Sequence, residues 1–174
     1  SVAACFFHSS QDVAYKVCLC SRIANRVIDL KSRVHVNSVE SFYEIIRNLD
    51  WESFFSSNSS ILVDFNGSSS YIRDSRFGAQ LTKDGINDRF IKSGKPRISV
   101  NLINPDILVY VRLFNNKLSI GLDLVGESLH KRGYRKYSGE APLKENLAAG
   151  ILIQNDWKKI SLSGGAFLDP MCGS

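Results

Sequence analysis

The sequence predicts an α+β fold, and three patterns carry that prediction. Strand-like and helix-like stretches alternate through residues 2–49, a strand at 61–65 leads into a long helical segment, and two alternating apolar runs flank Asn115-Asn116 as a hairpin. The chain ends on a short apolar run followed by the turn-like Asp169-Pro170-Met171-Cys172-Gly173-Ser174.

The first apolar run, Val2 to Phe7, suits a strand. Ser9-Ser10-Gln11-Asp12 then signals a helix start, and Val13, Val17, Cys20 and Ile23 recur at helical spacing. Residues 25–36 read as a strand, and Ser38 with Ser41 and Glu44 begins a helix reaching about Leu49. This opening has no preceding sequence to close its sheet, so an N-terminal piece is expected to lie outside the chain. Serines at 56–60 break the pattern before the strand Ile61-Leu62-Val63-Asp64-Phe65 and a loop over 66–70.

The longest helix is predicted over 73–92, where Ala79, Thr82, Ile86 and Phe90 recur at helical intervals. Gly78 and Gly85 weaken its propensity by about 1 kcal/mol each relative to Ala, a cost that close packing can offset. In the hairpin, Ile107, Val109, Val111 and Leu113 alternate with Leu108, Tyr110, Arg112 and Phe114, and the return strand lines up Leu118, Ile120, Leu122 and Leu124. A basic connector spans His130 to Lys136. Pro142 opens a helix that puts Leu143, Leu147, Ile151 and Leu152 on one side, and Ala166-Phe167-Leu168 reads as a strand.

Composition fits a soluble intracellular protein, expected in the cytoplasm: 44% of residues are hydrophobic and 22% charged. No apolar stretch approaches the roughly 20 residues of a membrane-spanning helix, and the first residues lack a signal-peptide order. The cysteines, Cys5, Cys18, Cys20 and Cys172, form no C-x-x-C pair and are expected to be reduced, with no metal bound. His8, His35 and His130 lie in unrelated segments without a paired ligand motif, and no Gly-x-Ser-x-Gly elbow occurs. These patterns do not point to a hydrolase or a zinc enzyme.

The net charge of +5 matters because it is clustered. Arg73, Arg76, Lys83, Arg89, Lys92, Lys95 and Arg97 fall within one stretch, and on a helical projection Arg76, Gln80, Lys83 and Asn87 share an arc suited to phosphates. A solvated helix face is the alternative for that arc. In the connector, Lys131, Arg132, Arg135 and Lys136 interleave with Tyr134 and Tyr137, which can stack on bases or sugars. His130 there suits a phosphate or packing contact. Packing of both tyrosines, with the cations left in water, is the competing reading. At the C-terminus, an acidic residue and a glycine turn after a strand occupy the place where open α/β sheets bind ligands. The chain stops before such a site would be complete.

Several ordered motifs then carry a family likeness. Ile72-Arg73-Asp74-Ser75-Arg76-Phe77-Gly78-Ala79, Pro105-Asp106-Ile107, Leu122-Asp123-Leu124-Val125-Gly126, Leu129 through Arg135, Ala141 through Ala149 and Leu168 through Ser174 together resemble the THUMP-containing RNA guanine-N2 methyltransferases. The likeness is greatest to those acting on bacterial large-subunit (23S) ribosomal RNA. The resemblance implies a remnant ferredoxin-like segment at 1–55, a THUMP RNA-binding domain at 56–126, a basic linker at 127–141 and the start of a Rossmann-like class I methyltransferase domain at 142–174, with its first helix and strand. It implies a parent enzyme that uses S-adenosylmethionine and holds structured RNA through the cations named above, with Tyr134. Pro142 and the loop Asp169, Pro170, Met171, Cys172, Gly173 and Ser174 would form part of the cofactor site. The family's Asn-Pro-Pro-aromatic catalytic motif would lie beyond Ser174, so this stretch is expected to carry no catalytic residue and to be inactive alone. A transfer-RNA methyltransferase and a non-catalytic RNA-binding module remain the alternatives, which the continuation of the reading frame distinguishes.

Overall fold

The computed structural model describes residues 4–137, 139 and 142–171. Its elements run α1 (Gln11–Cys20), β1 (Ile28–His35), α2 (Val39–Asn48), a single 3-10 turn (Trp51–Ser53), β2 (Ser60–Gly67), α3 (Ser75–Lys92), β3 (Ser99–Val100), β4 (Ile107–Phe114), β5 (Lys117–Asp123), α4 (Glu145–Gln154) and α5 (Trp157–Leu162). They divide between two units, one formed by 28–126 and the other by 1–27 with 127–174.

The 28–126 unit is an α+β layer built on a five-stranded sheet in the order β1-β5-β4-β2-β3. β4 and β5 form the expected antiparallel hairpin, and Asn115 and Asn116 both take positive φ, 49° and 58°. That is the pairing a two-residue type I′ turn requires, and asparagine tolerates it better than most side chains. β2 joins β4 in parallel through the α3 crossover, and β1 adds antiparallel to the far side of β5.

Local chemistry explains the helices. At the start of α2, the Ser38 hydroxyl accepts from the Ser41 backbone N–H and the Ser41 hydroxyl accepts from the Ser38 N–H, both at 3.1 Å, a reciprocal cap that satisfies two otherwise orphaned donors. Four residues apart, Phe42 and Ile46 then face inward and are fully buried. Asp74 caps α3 by accepting from the Arg76 N–H at 2.9 Å. Trp51 is fully buried, and its indole N–H reaches the Ile46 carbonyl at 2.6 Å, so burying the ring strands no donor.

One core joins these elements: Phe42 and Ile46 of α2, Ile86 and Phe90 of α3, Ile61 and Phe65 of β2, Val109, Val111 and Leu113 of β4, and Leu118, Ile120 and Leu122 of β5. α2 and β1 therefore belong to the same compact unit as β2, whereas the sequence placed a domain boundary at 55/56. The difference has a physical origin, because the apolar face of α2 has no other surface to cover it within this unit. Gly78 and Gly85 have the close-packing role expected of them. A Cβ on Gly78 would lie 2.6 Å from the Phe65 ring, and one on Gly85 would lie 2.9 Å from the Ile46 side chain.

The other unit departs further from expectation. Among the described residues 4–10 no strand forms where Val2 to Phe7 predicted one, and Phe6 and Phe7 are exposed. Residues 166–168 also form no strand: their backbone has no ladder partner among the described residues, and Phe167 instead meets Trp157 edge-on at 5.4 Å. The helix expected from Pro142 begins at Glu145, and Leu143, Leu147 and Ile151 are about half exposed rather than packed. α5 was not foreseen. No described helix is long and apolar enough to cross a membrane.

Candidate nucleic-acid interface

The cations of the α3 region do not form one continuous stripe. Arg73 and Arg76 are exposed at the N-terminal end of the helix, and Lys92, Lys95 and Arg97 are exposed at or beyond its C-terminal end. An 18-residue helix is about 27 Å long, so the two groups stand well apart. Positive charge at the C-terminal end also suits the helix dipole.

Between those ends the side chains have partners. Lys83 pairs with its neighbour Asp84 at 3.0 Å. Arg89 is locked against the 3-10 turn, its Nε–H donating to both Glu52 carboxylate oxygens and its other arm reaching Asp50 at 3.2 Å. Burial would raise the Glu52 pKa, but the Ser93 hydroxyl, its own backbone N–H and Arg89 together pull it down to about 2. Asn87 corrects the projected phosphate arc: it is buried, and its side-chain oxygen accepts from the Ile98 N–H at 2.8 Å, tying the chain after α3 back to the helix. It does not share an exposed surface with Arg76.

The connector splits in the same way. Arg132 donates to the backbone carbonyls of Cys18, Leu19 and Ser21, at 3.1, 3.3 and 2.6 Å, and so caps the open C-terminal end of α1. Arg135 pairs with Glu145 at 3.1 Å and donates to the Leu143 carbonyl at 2.7 Å. The His130 Nδ1 lies 2.7 Å from the Ser128 hydroxyl, which also bonds the Asn25 side chain, and Leu129 between them is buried. Lys131, Lys136, Tyr134 and Tyr137 are exposed, Tyr137 at 92%. The segment thus combines side chains that fix its path with side chains that face solvent.

Sequence reasoning passed over a further set of basic residues, Arg33, His35, Arg112 and Lys117, which the strand register brings onto one face of the sheet. Their signal was the alternation itself, since Arg112 occupies the polar phase of β4.

Known proteins with this arrangement define its class. The THUMP domain family matches residues 36–123, and the description "RMKL-like, methyltransferase domain" matches residues 132–174. The chain belongs to the THUMP-domain family. Over all 174 residues it is 47% identical to the ribosomal RNA large subunit methyltransferase K/L of Cellvibrio japonicus, of which it spans 23%. Its identity to the Pseudomonas aeruginosa protein of the same name is 44% over 164 residues, 94% of this chain and 23% of that one. The chain thus spans about a quarter of the length of these relatives. Two solved structures share its fold at lower identity. Thermus thermophilus TrmN has a TM-score of 0.66 at 16% identity, covering 88% of this chain and 43% of that one. A protein from Listeria monocytogenes described as a predicted N6-adenine-specific DNA methylase has a TM-score of 0.73 at 21% identity, covering 83% and 38%.

A methyltransferase domain brings a methyl-donor cofactor into question, and the described residues do not enclose one. Pro142, Asp169, Pro170 and Met171 are exposed, and the Asp169 carboxylate accepts from the Met171 N–H at 3.1 Å. None of these residues lines the cavity of about 560 Å³ bordered by Leu152 and Ile153 of α4 and by Trp157 and Leu162 of α5. Cys172, Gly173 and Ser174 lie outside the described residues. No group of metal-binding side chains occurs among the described residues.

Proposed function

We propose that this chain is the RNA-holding and domain-joining portion of a cytoplasmic, S-adenosylmethionine-dependent enzyme that methylates the N2 amine of a guanine in large-subunit ribosomal RNA. The observation that supports this most is the order of the two family matches, THUMP at 36–123 and RMKL-like methyltransferase at 132–174, in a chain 47% identical throughout to a named ribosomal RNA methyltransferase.

The chemistry asks for this division. S-adenosylmethionine supplies an electrophilic methyl group, but a guanine N2 is within reach only where its base is exposed or extruded. A platform that fixes the surrounding RNA turns that encounter into an oriented one. In this reading Arg73 and Arg76 meet phosphates at one end of α3, and Lys92, Lys95 and Arg97 at the other. In the other unit, Lys131 and Lys136 supply phosphate contacts of their own while Tyr134 and Tyr137 stack on unpaired bases. Lys83, Arg89, Arg132, Arg135 and His130 already have partners within the protein and chiefly shape the surface. No step of methyl transfer is assigned to residues of this chain.

The test is equilibrium binding of the chain to a folded segment of large-subunit ribosomal RNA across a salt series, with transfer RNA as competitor. Affinity should fall steeply with salt and weaken further in Arg76→Glu and Lys92→Glu. Salt-independent binding, or preference for transfer RNA, would count against it. Incubation with radiolabelled S-adenosylmethionine and the same RNA should transfer no methyl group.

A further inference from the structure

The turn over residues 101–106 carries the barest large apolar side chains of the 28–126 unit, Leu102 at 74% exposed and Ile103 at 96%. β3 and β4 flank β2 on opposite sides, so the turn that joins them must pass the start of β2. Its backbone is held there at both ends. The Asn101 N–H donates to the Ile61 carbonyl at 3.1 Å, and the Asn101 side-chain oxygen accepts from the Ile103 and Asn104 N–H groups at 3.1 and 3.0 Å. At the other end the Asp106 carboxylate accepts from both the N–H and the hydroxyl of Ser60, each at 2.7 Å, and the Asp106 N–H donates back to that hydroxyl at 3.2 Å. Two aliphatic side chains are thus presented to solvent on a fixed backbone, at a tip where turn chemistry alone would favour polar residues.

We infer that Leu102 and Ile103 form a wedge that enters an RNA helix where its stack is interrupted by a bulge, while Lys92, Lys95 and Arg97 hold the phosphates beside it. The inference rests on the RNA-binding reading above and deepens it by naming the shape of the RNA. The cations arrive with the turn: α3 ends at Lys92, and the chain passes through Lys95 and Arg97 into β3 and on to Asn101. From Arg97 to Ile103 it can span at most about 20 Å. All three cations are exposed, and none pairs with a carboxylate among the described residues. The carboxylates of the adjoining segments are engaged elsewhere, Asp50 and Glu52 by Arg89 and Asp106 by Ser60. The tip suits a nucleic acid better than a protein. A stable protein interface takes roughly 800 Å² from each partner, whereas two side chains set between Asn101 and Asn104 make a point and not a patch. Aliphatic wedges separate stacked bases, and a base already unpaired leaves its stack at least cost.

The experiment is equilibrium binding of the chain to two RNA hairpins, one with a fully paired stem and one with a short bulge flanked by 2-aminopurine, whose fluorescence rises on unstacking. The parent chain should bind the bulged hairpin several-fold more tightly and raise its fluorescence. Leu102→Ser and Ile103→Ser alter exposed side chains, and unchanged thermal unfolding verifies that each folds. Each should remove most of the preference and of the fluorescence rise, with affinity for the paired stem and the slope of log affinity against log salt unchanged. Ile103→Val should retain both. Lys95→Gln should instead weaken binding to both hairpins and lower that slope by about 0.7–0.9, the loss of one phosphate contact. If the parent chain binds both hairpins equally, or the serine variants keep its preference and its fluorescence change, the wedge is refuted while the RNA reading stands, and the tip is left to a protein partner. If the parent chain binds neither hairpin, the RNA reading falls, and this inference with it.

Discussion

Glu52 accepts the Arg89 Nε–H with both carboxylate oxygens, at 3.0 and 2.9 Å, pinning the turn after α2 to the last turns of α3. Its pKa lies near 2, below the usual 4.5, because the hydrogen bonds from Ser93, its own backbone and Arg89 outweigh the effect of burial. The stabilisation is therefore in full force above pH 4.5 and is lost as pH falls toward 2. Glu52→Gln should cost on the order of 1–2 kcal/mol at neutral pH. It should also flatten the decline in thermal stability on acidification, measured by unfolding at a series of pH values. A variant that keeps the parent's acid profile would remove Glu52 from this role.

Arg132 offers a second check, because its guanidinium meets the carbonyls of Cys18, Leu19 and Ser21 at the end of α1. Such a cap predicts that Arg132→Gln frays the helix. Hydrogen exchange should show protection in the last turn of α1 falling by roughly tenfold, about 1.4 kcal/mol of local stability, with the 28–126 unit unaffected. Equal protection in the parent and the variant would mean that Arg132 is available for ligand instead.

Period and capping made the 28–126 unit legible. The hairpin followed from alternation around Asn115-Asn116, α2 from Ser38 and Ser41, and the crossover helix from Ala79, Thr82, Ile86 and Phe90. Asn87 shows where such reasoning stops. A projection places residues around a helix but does not reveal what packs over them, and the chain returning at Ile98 turns a presumed polar contact into a buried acceptor. The terminal segments failed differently. An apolar run becomes a strand only when another strand supplies a hydrogen-bonded ladder, and among the described residues no strand forms at Phe6-Phe7 or Phe167-Leu168. The connector's cations were recognised as a group, but charge alone could not separate Arg132, spent on backbone carbonyls, from Lys131, exposed to solvent.

Gly78 sets helix propensity against packing in a way that one substitution resolves. In isolation Gly78→Ala should gain about 1 kcal/mol, since glycine is the poorer helix former. In the fold, the new methyl would lie 2.6 to 2.7 Å from three atoms of the Phe65 ring, far inside van der Waals contact. Phe65 is itself buried and meets Phe42 edge-on at 6.0 Å, so the ring can withdraw only by disturbing the contact between β2 and α2. Overpacking of this kind costs about 1–3 kcal/mol, which offsets or exceeds the propensity gain. Gly78→Ala should therefore lower the denaturation midpoint, and pairing it with Phe65→Leu, which makes room, should recover part of the loss. A single variant more stable than the parent would show that α3 can shift away from β2, and that Gly78 is not what sets their separation.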